Sequence, residues 1–122
     1  MMISFKFHNY KILDSTNNKA IELAKKKLHD IAVIAERQTK GKGRFNRQWS
    51  SDIGGLYMTI VLKVGDLDKT KYLTFAAAVS VAKAIRKTAK LNALVKWPND
   101  VLTGNKKICG ILTETISGRE NY

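Results

Sequence analysis

The chain opens on a period-two alternation, Ile3, Phe5, Phe7, which predicts a half-buried first strand over residues 3–7. After a polar break the period changes. In DSTNNKAIELAKKKLHD, residues 14–30, Ala20, Ile21, Ala24 and Leu28 recur at helical spacing, Ser15 or Thr16 can cap the N-terminus, and lysines fill the outer face and last turn. Residues 31–36, IAVIAE, are a short continuous apolar run that suits a strand covered on both faces. The next pattern, GGLYMTIVLKV over 54–64, sets Leu56, Met58, Ile60 and Leu62 against Tyr57, Thr59, Val61 and Lys63, a strand with two distinct faces.

An alanine-rich segment over 70–92 carries Leu73, Ala77, Val81 and Ile85 at four-residue spacing and predicts a long helix, with Asn92 as its stop. ALVKW then reads as a strand ended by Pro98. The segment TGNK, with Gly104-Asn105, reads as a hairpin turn into a last strand over 107–116. This order of strands and helices predicts an α/β or α+β domain with one sheet, and the hairpins favour a mixed sheet over a purely parallel one.

Composition narrows the class. An apolar content of 44% with one proline argues against disorder, and no apolar run approaches the ~18 residues that a membrane span needs. Charge interrupts the N-terminal apolar residues too early for a secretory signal, so a cytoplasmic location is expected. Cys109 is the single cysteine and cannot form an internal disulfide; with only His8 and His29 beside it, no zinc-like ligand spacing exists. A length of 122 residues fits one domain. The net charge of +12 attracts phosphates of any kind without naming one, and lysines such as 25–27 read as a solvated helix face.

Chemistry concentrates in a few places. From Arg37 to Ser51 the chain carries five basic residues and no acid. Gly41 and Gly43 let its backbone turn tightly, and Asn46 tolerates a left-handed conformation. Lys42, Arg44 and Arg47 around such a backbone, with Trp49 as an aromatic lid, are the ingredients of an anion cradle. An exposed basic hairpin loop would look the same. In VKWPND, residues 95–100, a strand ends in tryptophan and proline and places Asn99 and Asp100 at the strand end, where open sheets hold ligands; a plain turn explains them equally. Lys107 begins the last strand, with Gly110 inside it, and Ser15-Thr16-Asn17 needs no role beyond capping.

Taken together, DSTN near the start, QTKGKGRFNRQWSS in the middle and KWPNDVL followed by KKICGILTE resemble the catalytic domain of biotin protein ligases, from about Asp14 to Glu114. The resemblance implies an α+β fold with a mixed, largely antiparallel sheet and helices on one side, like class II aminoacyl-tRNA synthetases. It implies ATP and biotin as substrates with magnesium present, biotinyl-5'-AMP as intermediate, and transfer to a lysine of a biotin carboxyl carrier protein. On that footing Ser15, Thr16, Asn17, Gln38, Lys42, Gly43, Arg44, Lys107 and Gly110 would bind biotin. Gly41, Arg44, Asn46, Arg47, Trp49, Lys96, Asn99, Asp100 and Lys107 would line the ATP or adenylate site, with Arg44, Lys107 and Asp100 in the reaction itself. Asp100 would either help to hold magnesium or orient the incoming lysine.

Lysine at 42 stands where the family often has arginine, keeping the charge but losing the planar fork, and Asn46 stands where many members have glycine. The family continues past the position of Tyr122 into further sheet and a small C-terminal domain. Residues 1–122 are therefore expected to be the N-terminal portion of the catalytic domain, with a strand edge prone to pair with another chain and a homodimer among the outcomes. About a dozen residues precede the motifs, so no helix-turn-helix and no specific nucleic acid are expected. Two other functions compete: lipoate or octanoate transfer on the same fold, and a basic nucleic-acid-binding module.

Overall fold

The structure, a computed structural model, describes residues 4–116; Ile3, the first position of the predicted alternation, lies outside them. The chain forms two compact units, one running through Lys63 and one from Val64 to Glu114. The fold is mixed α+β and largely antiparallel, and the strands divide into two three-stranded sheets where the sequence suggested one. Pairing between strands distant in sequence leaves no trace in a single-chain hydropathy pattern.

In the first unit, strand β1 (Lys6–Leu13) is followed by helix α1 (Thr16–Lys25), strand β2 (Ile31–Gln38) and strand β3 (Tyr57–Val61). β1 and β2 run parallel, which requires a crossover, and α1 supplies it. β3 pairs antiparallel on the other side of β2. The central position of β2 explains its continuous apolar run: Ile31, Ala32, Val33 and Ala35 are all buried. Ile31 and Val33 form a core with Ala20 and Leu23 of α1, and Tyr10, Leu13 and Val61 pack against it.

Two expectations are corrected here. α1 ends at Lys25 and buries Thr16, Ala20 and Leu23, so Leu28 lies beyond it. Lys27, in the left-handed region at φ 65°, stops the helix: its N–H donates to Ala24 O at 2.8 Å, and Leu28 N–H donates to Leu23 O at 3.2 Å. This is the hydrogen-bond pattern of a Schellman cap, with lysine where glycine is usual. The first strand also differs: β1 runs Lys6–Leu13 rather than over residues 3–7, through residues that read as a polar break, and Phe7 is 61% exposed. In β3, register with β2 decides which of the two faces is buried. Thr59 stands opposite Val33 and Val61 opposite Ile31, so the face under α1 carries Thr59 and Val61, while Met58 and Ile60 are 43% and 44% exposed.

The second unit contains helix α2 (Lys71–Thr88) and strands β4 (Ala93–Lys96), β5 (Asp100–Thr103) and β6 (Lys106–Gly110), all antiparallel. Its core is Ala78, Ala82, Ala93 and Val101, with Val81, Ile85, Val95, Cys109 and Ile111 against it. Small alanines let helix and strands approach closely, so the buried line falls one residue after the predicted Ala77 and Val81. The helix stops at Thr88, before Asn92, and Lys90 takes φ 55° just past the C-cap. Gly104 and Asn105, at φ 53° and 63°, make the expected hairpin turn. The last strand ends at Gly110, and residues 111–116 pair with no strand among those described.

The exposure of Ile60 on β3, against the full burial of Val33 on β2, has a measurable consequence. Val33→Ala, at a fully buried position, should cost about 2 kcal/mol in urea unfolding, whereas Ile60→Ala should stay within about 0.5 kcal/mol of wild type.

Candidate functional site

The site in the first unit is built from the N-terminus of α1 outward. Ser15 has extended backbone at φ −156°, and its Oγ accepts from Asn18 N–H at 2.9 Å, the N-cap bond expected of a serine there. The next free donor of the first turn, Thr16 N–H, is taken by Gln38 Oε1 at 2.7 Å, from the end of β2. Ser15 and Thr16 are almost fully buried. From β3 the Thr59 hydroxyl donates to Asn17 Oδ1 and lies 2.8 Å from Thr16 Oγ1. The Ser-Thr-Asn cap, Gln38 and Thr59 therefore form one polar cluster at the helix end.

Asp14 precedes the cap. The Asn18 side chain donates to its carboxylate at 3.0 Å and Ser15 N–H at 2.6 Å, and these bonds hold its pKa below the ordinary aspartate value, with Lys40 adding to the effect.

Gln38 also reaches the basic loop. Its Nε2 donates to Ser51 Oγ at 2.9 Å, and Ser51 Oγ donates to the Trp49 carbonyl at 3.0 Å. The loop closes on itself as a small hairpin: Trp49 N–H donates to Gly41 O at 2.8 Å and Gly43 N–H to Arg47 O at 2.7 Å. A Cβ at position 41 would overlap Ser51 Oγ and lie 2.5 Å from the Trp49 carbonyl oxygen, so glycine is required there by space rather than by torsion. At the tip, residues 44–46 form a short 3-10 turn in which Phe45 and Asn46 take φ 60° and 58°. Asparagine accepts that region readily; phenylalanine does so at a cost of roughly 1–2 kcal/mol. Arg44, Asn46 and Arg47 are exposed, Lys42, Gly43 and Trp49 half-buried, and the Arg44 guanidinium lies 4.9 Å from the Phe45 ring centre.

In the second unit, Lys96 at the end of β4 pairs in register with Asp100, which begins β5, and Asp100 pairs on its other side with Gly110. Lys107 Nζ lies 3.0 Å from Asp100 Oδ1. That oxygen is buried and has no well-aligned hydrogen bond, so the contact is a charge pair. Asn99 is buried; its Nδ2 donates to Ile111 O at 3.2 Å and its carbonyl accepts Ile111 N–H at 2.9 Å. Cys109 packs beside this pair, and burial, reinforced by Asp100 and opposed by Lys107, pushes its thiol pKa up.

Among the described residues no all-protein metal cage is formed, and magnesium carried by ATP would need only one or two carboxylates here. Asp100 is a single carboxylate already facing an ammonium.

Two members of the clusters escaped the sequence reading. Thr59 carries a usable signal, a polar residue at an inward strand position, hidden because the other face of β3 looked more apolar. Ser51 carries none; it is one of two adjacent serines in a polar loop.

The fold and these clusters define the class. Residues 10–122 match the biotin/lipoate A/B protein ligase family, and the chain belongs to it. It is 42% identical over 106 residues to the bifunctional ligase/repressor BirA of Bacillus subtilis, covering 84% of this chain and 33% of that protein. It is 36% identical over 105 residues to the biotin–[acetyl-CoA-carboxylase] ligase of Paracoccus denitrificans, covering 84% and 44%. Among solved structures, the Aquifex aeolicus biotin protein ligase in complex with biotin and ATP superposes with a TM-score of 0.79 at 33% identity, over 90% of this chain and 47% of that one. The Leishmania major enzyme with biotinyl-5-AMP gives a TM-score of 0.80 at 26% identity, over 91% and 52%. The chain thus spans between a third and about half of the length of these relatives. Among the described residues no helix is long and apolar enough to cross a membrane.

Two measurements check the site. Gly41→Ala should destabilise the chain by about 1–3 kcal/mol in urea unfolding, because the new methyl must displace backbone. NMR titration of Asp14 should give a pKa below the ordinary value, rising in Asn18→Ala. A depressed folded-state pKa means that the stabilisation is present above the unfolded pKa and is lost as pH falls through the folded one.

Proposed function

We propose that residues 1–122 are the N-terminal portion of the catalytic domain of a biotin protein ligase, acting on biotin and ATP. The relatives named as biotin ligases, and the solved neighbours holding biotin with ATP or biotinyl-5-AMP, support this reading. The observation that carries it is the hydrogen-bonded tie between the Ser-Thr-Asn helix cap, Gln38 and the glycine-basic loop, two of the motifs on which the resemblance rests.

In the reaction, a biotin carboxylate oxygen bonds to the α-phosphorus of ATP and pyrophosphate leaves, giving biotinyl-5'-AMP. An acceptor lysine amine then attacks the acyl carbon; the amide forms, AMP leaves and the amine gives up a proton. The chemical difficulty is the approach of a carboxylate to a polyphosphate, so preorganised cations and N–H donors are the main source of rate.

Ser15, Thr16, Asn17, Gln38, Lys42, Gly43 and Gly110 bind biotin in this reading, the ureido group needing both donors and acceptors. Arg44 and Lys107 neutralise the carboxylate and phosphate oxygens. Gly41, Asn46, Arg47, Trp49, Lys96 and Asn99 serve the adenylate, with Trp49 excluding water from its anhydride. The charge pair with Lys107 favours Asp100 as the group that orients the acceptor amine over a magnesium ligand. Magnesium, when bound with ATP, would supply charge neutralisation at the phosphates. The acceptor is a biotin carboxyl carrier protein, the setting is the cytoplasm, and self-association through a strand edge is part of the reading. Neither a membrane nor a specific nucleic acid is.

Biotin-dependent exchange of labelled pyrophosphate into ATP by the full-length protein tests the proposal. Arg44→Ala should slow exchange roughly tenfold to hundredfold, the loss expected for one charge-assisted contact, and should release adenylate faster. Exchange supported by lipoate but not by biotin would reject the choice of acid.

A further inference from the structure

We propose that Ser51 is a positioning residue that holds the Nε2 end of the Gln38 amide in place and joins it to the Trp49 end of the basic loop. The inference rests on the biotin reading above and deepens it. The argument is one of proton direction. Thr16 N–H can only donate, so the Gln38 atom 2.7 Å from it must be the amide oxygen, and the amide nitrogen is then the atom 2.9 Å from Ser51 Oγ. Ser51 Oγ must accept that bond. Its single proton is left for the Trp49 carbonyl, 3.0 Å away, which can only accept.

Both ends of the chain are therefore fixed in polarity, and only a hydroxyl can stand between them. Ser51 is 4% exposed, and its main-chain carbonyl also accepts Gln38 N–H at 3.1 Å, so solvent has little access to replace the side chain. Gly41 lets the backbone lie directly against the cluster, where a Cβ would overlap Ser51 Oγ and come within 2.9 Å of Gln38 Nε2. With the amide held in this way, Gln38 keeps one lone pair on Oε1 and one proton on Nε2, a donor and an acceptor side by side. That pair is complementary to a ureido group, which also presents N–H beside C=O. Without Ser51 the Nε2 end of the amide loses its acceptor and its link to the loop, and the donor–acceptor pair is held only by the Thr16 N–H at the Oε1 end.

A double-mutant cycle tests the assignment, with biotin titrated calorimetrically into the full-length protein. Ser51→Ala should weaken biotin binding about tenfold, and Ser51→Cys, which keeps the volume but not a strong hydrogen bond, should do the same. Gln38→Ala should weaken it at least as much, and adding Ser51→Ala to it should change affinity by less than about twofold, because Ser51 acts through Gln38. Losses that multiply in the double variant, or Ser51 variants that bind like wild type, overturn the role of Ser51. A wild-type protein that ignores biotin rejects the ligase reading instead. The Gln38 side-chain amide protons then decide without ligand: exchange slow in wild type and faster in Ser51→Ala upholds the strut, and unchanged exchange overturns it.

Discussion

The interaction on which the first unit depends is the bond from Thr16 N–H to Gln38 Oε1. A helix N-terminus exposes donors that its own turns cannot satisfy, and here one of them is spent on a side chain at the end of the neighbouring parallel strand. The bond closes the β1-α1-β2 crossover at the point where the basic loop leaves β2. The same amide reaches Ser51, so a structural requirement of the helix and the placement of the loop are met by one residue. Capping and ligand recognition do not compete at such a place; a cap held rigid by tertiary bonds is a better-organised set of polar groups for a ligand.

The second unit achieves order by other means. It has a core of small side chains, and its polar residues are consumed pairwise: Asn99 with Ile111, and Asp100 with Lys107. Asn99 thereby acts first as a clasp on the end of β6, so any part it has in the reaction is played from a position fixed by backbone bonds. The ion pair joins the start of β5, into which the Trp-Pro-Asn-Asp motif leads, to β6.

What the sequence showed depended on whether the physics was local. The continuous apolar run of β2, the alanine-rich α2 and the Gly104-Asn105 hairpin are local, and each was legible, whereas the first strand was placed too early and on the wrong face. Helix ends were misplaced because Lys27 and Lys90 adopt a conformation that composition assigns to glycine. Which face of β3 is buried was not legible, because hydrophobicity says which residues prefer burial, while register with β2 decides which ones receive it. Gly41, Gln38 and the Ser-Thr-Asn cap, separate in the sequence, lie together in the structure. Ser51 and Thr59 were missed since a hydroxyl gains meaning only from what surrounds it.

The two left-handed lysines change how the basicity of the chain is to be understood. Each closes a helix, where a cation also meets the negative end of the peptide dipoles, so two of its positive charges are accounted for by chain termination before any ligand is considered. Glycine at 27 and 90 would relieve the torsion and lower the formal charge from +12 by two, leaving Arg44, Arg47 and Lys42 untouched. An isoelectric point near 10 is in this respect partly a by-product of architecture, and only the remainder is available to attract a nucleotide.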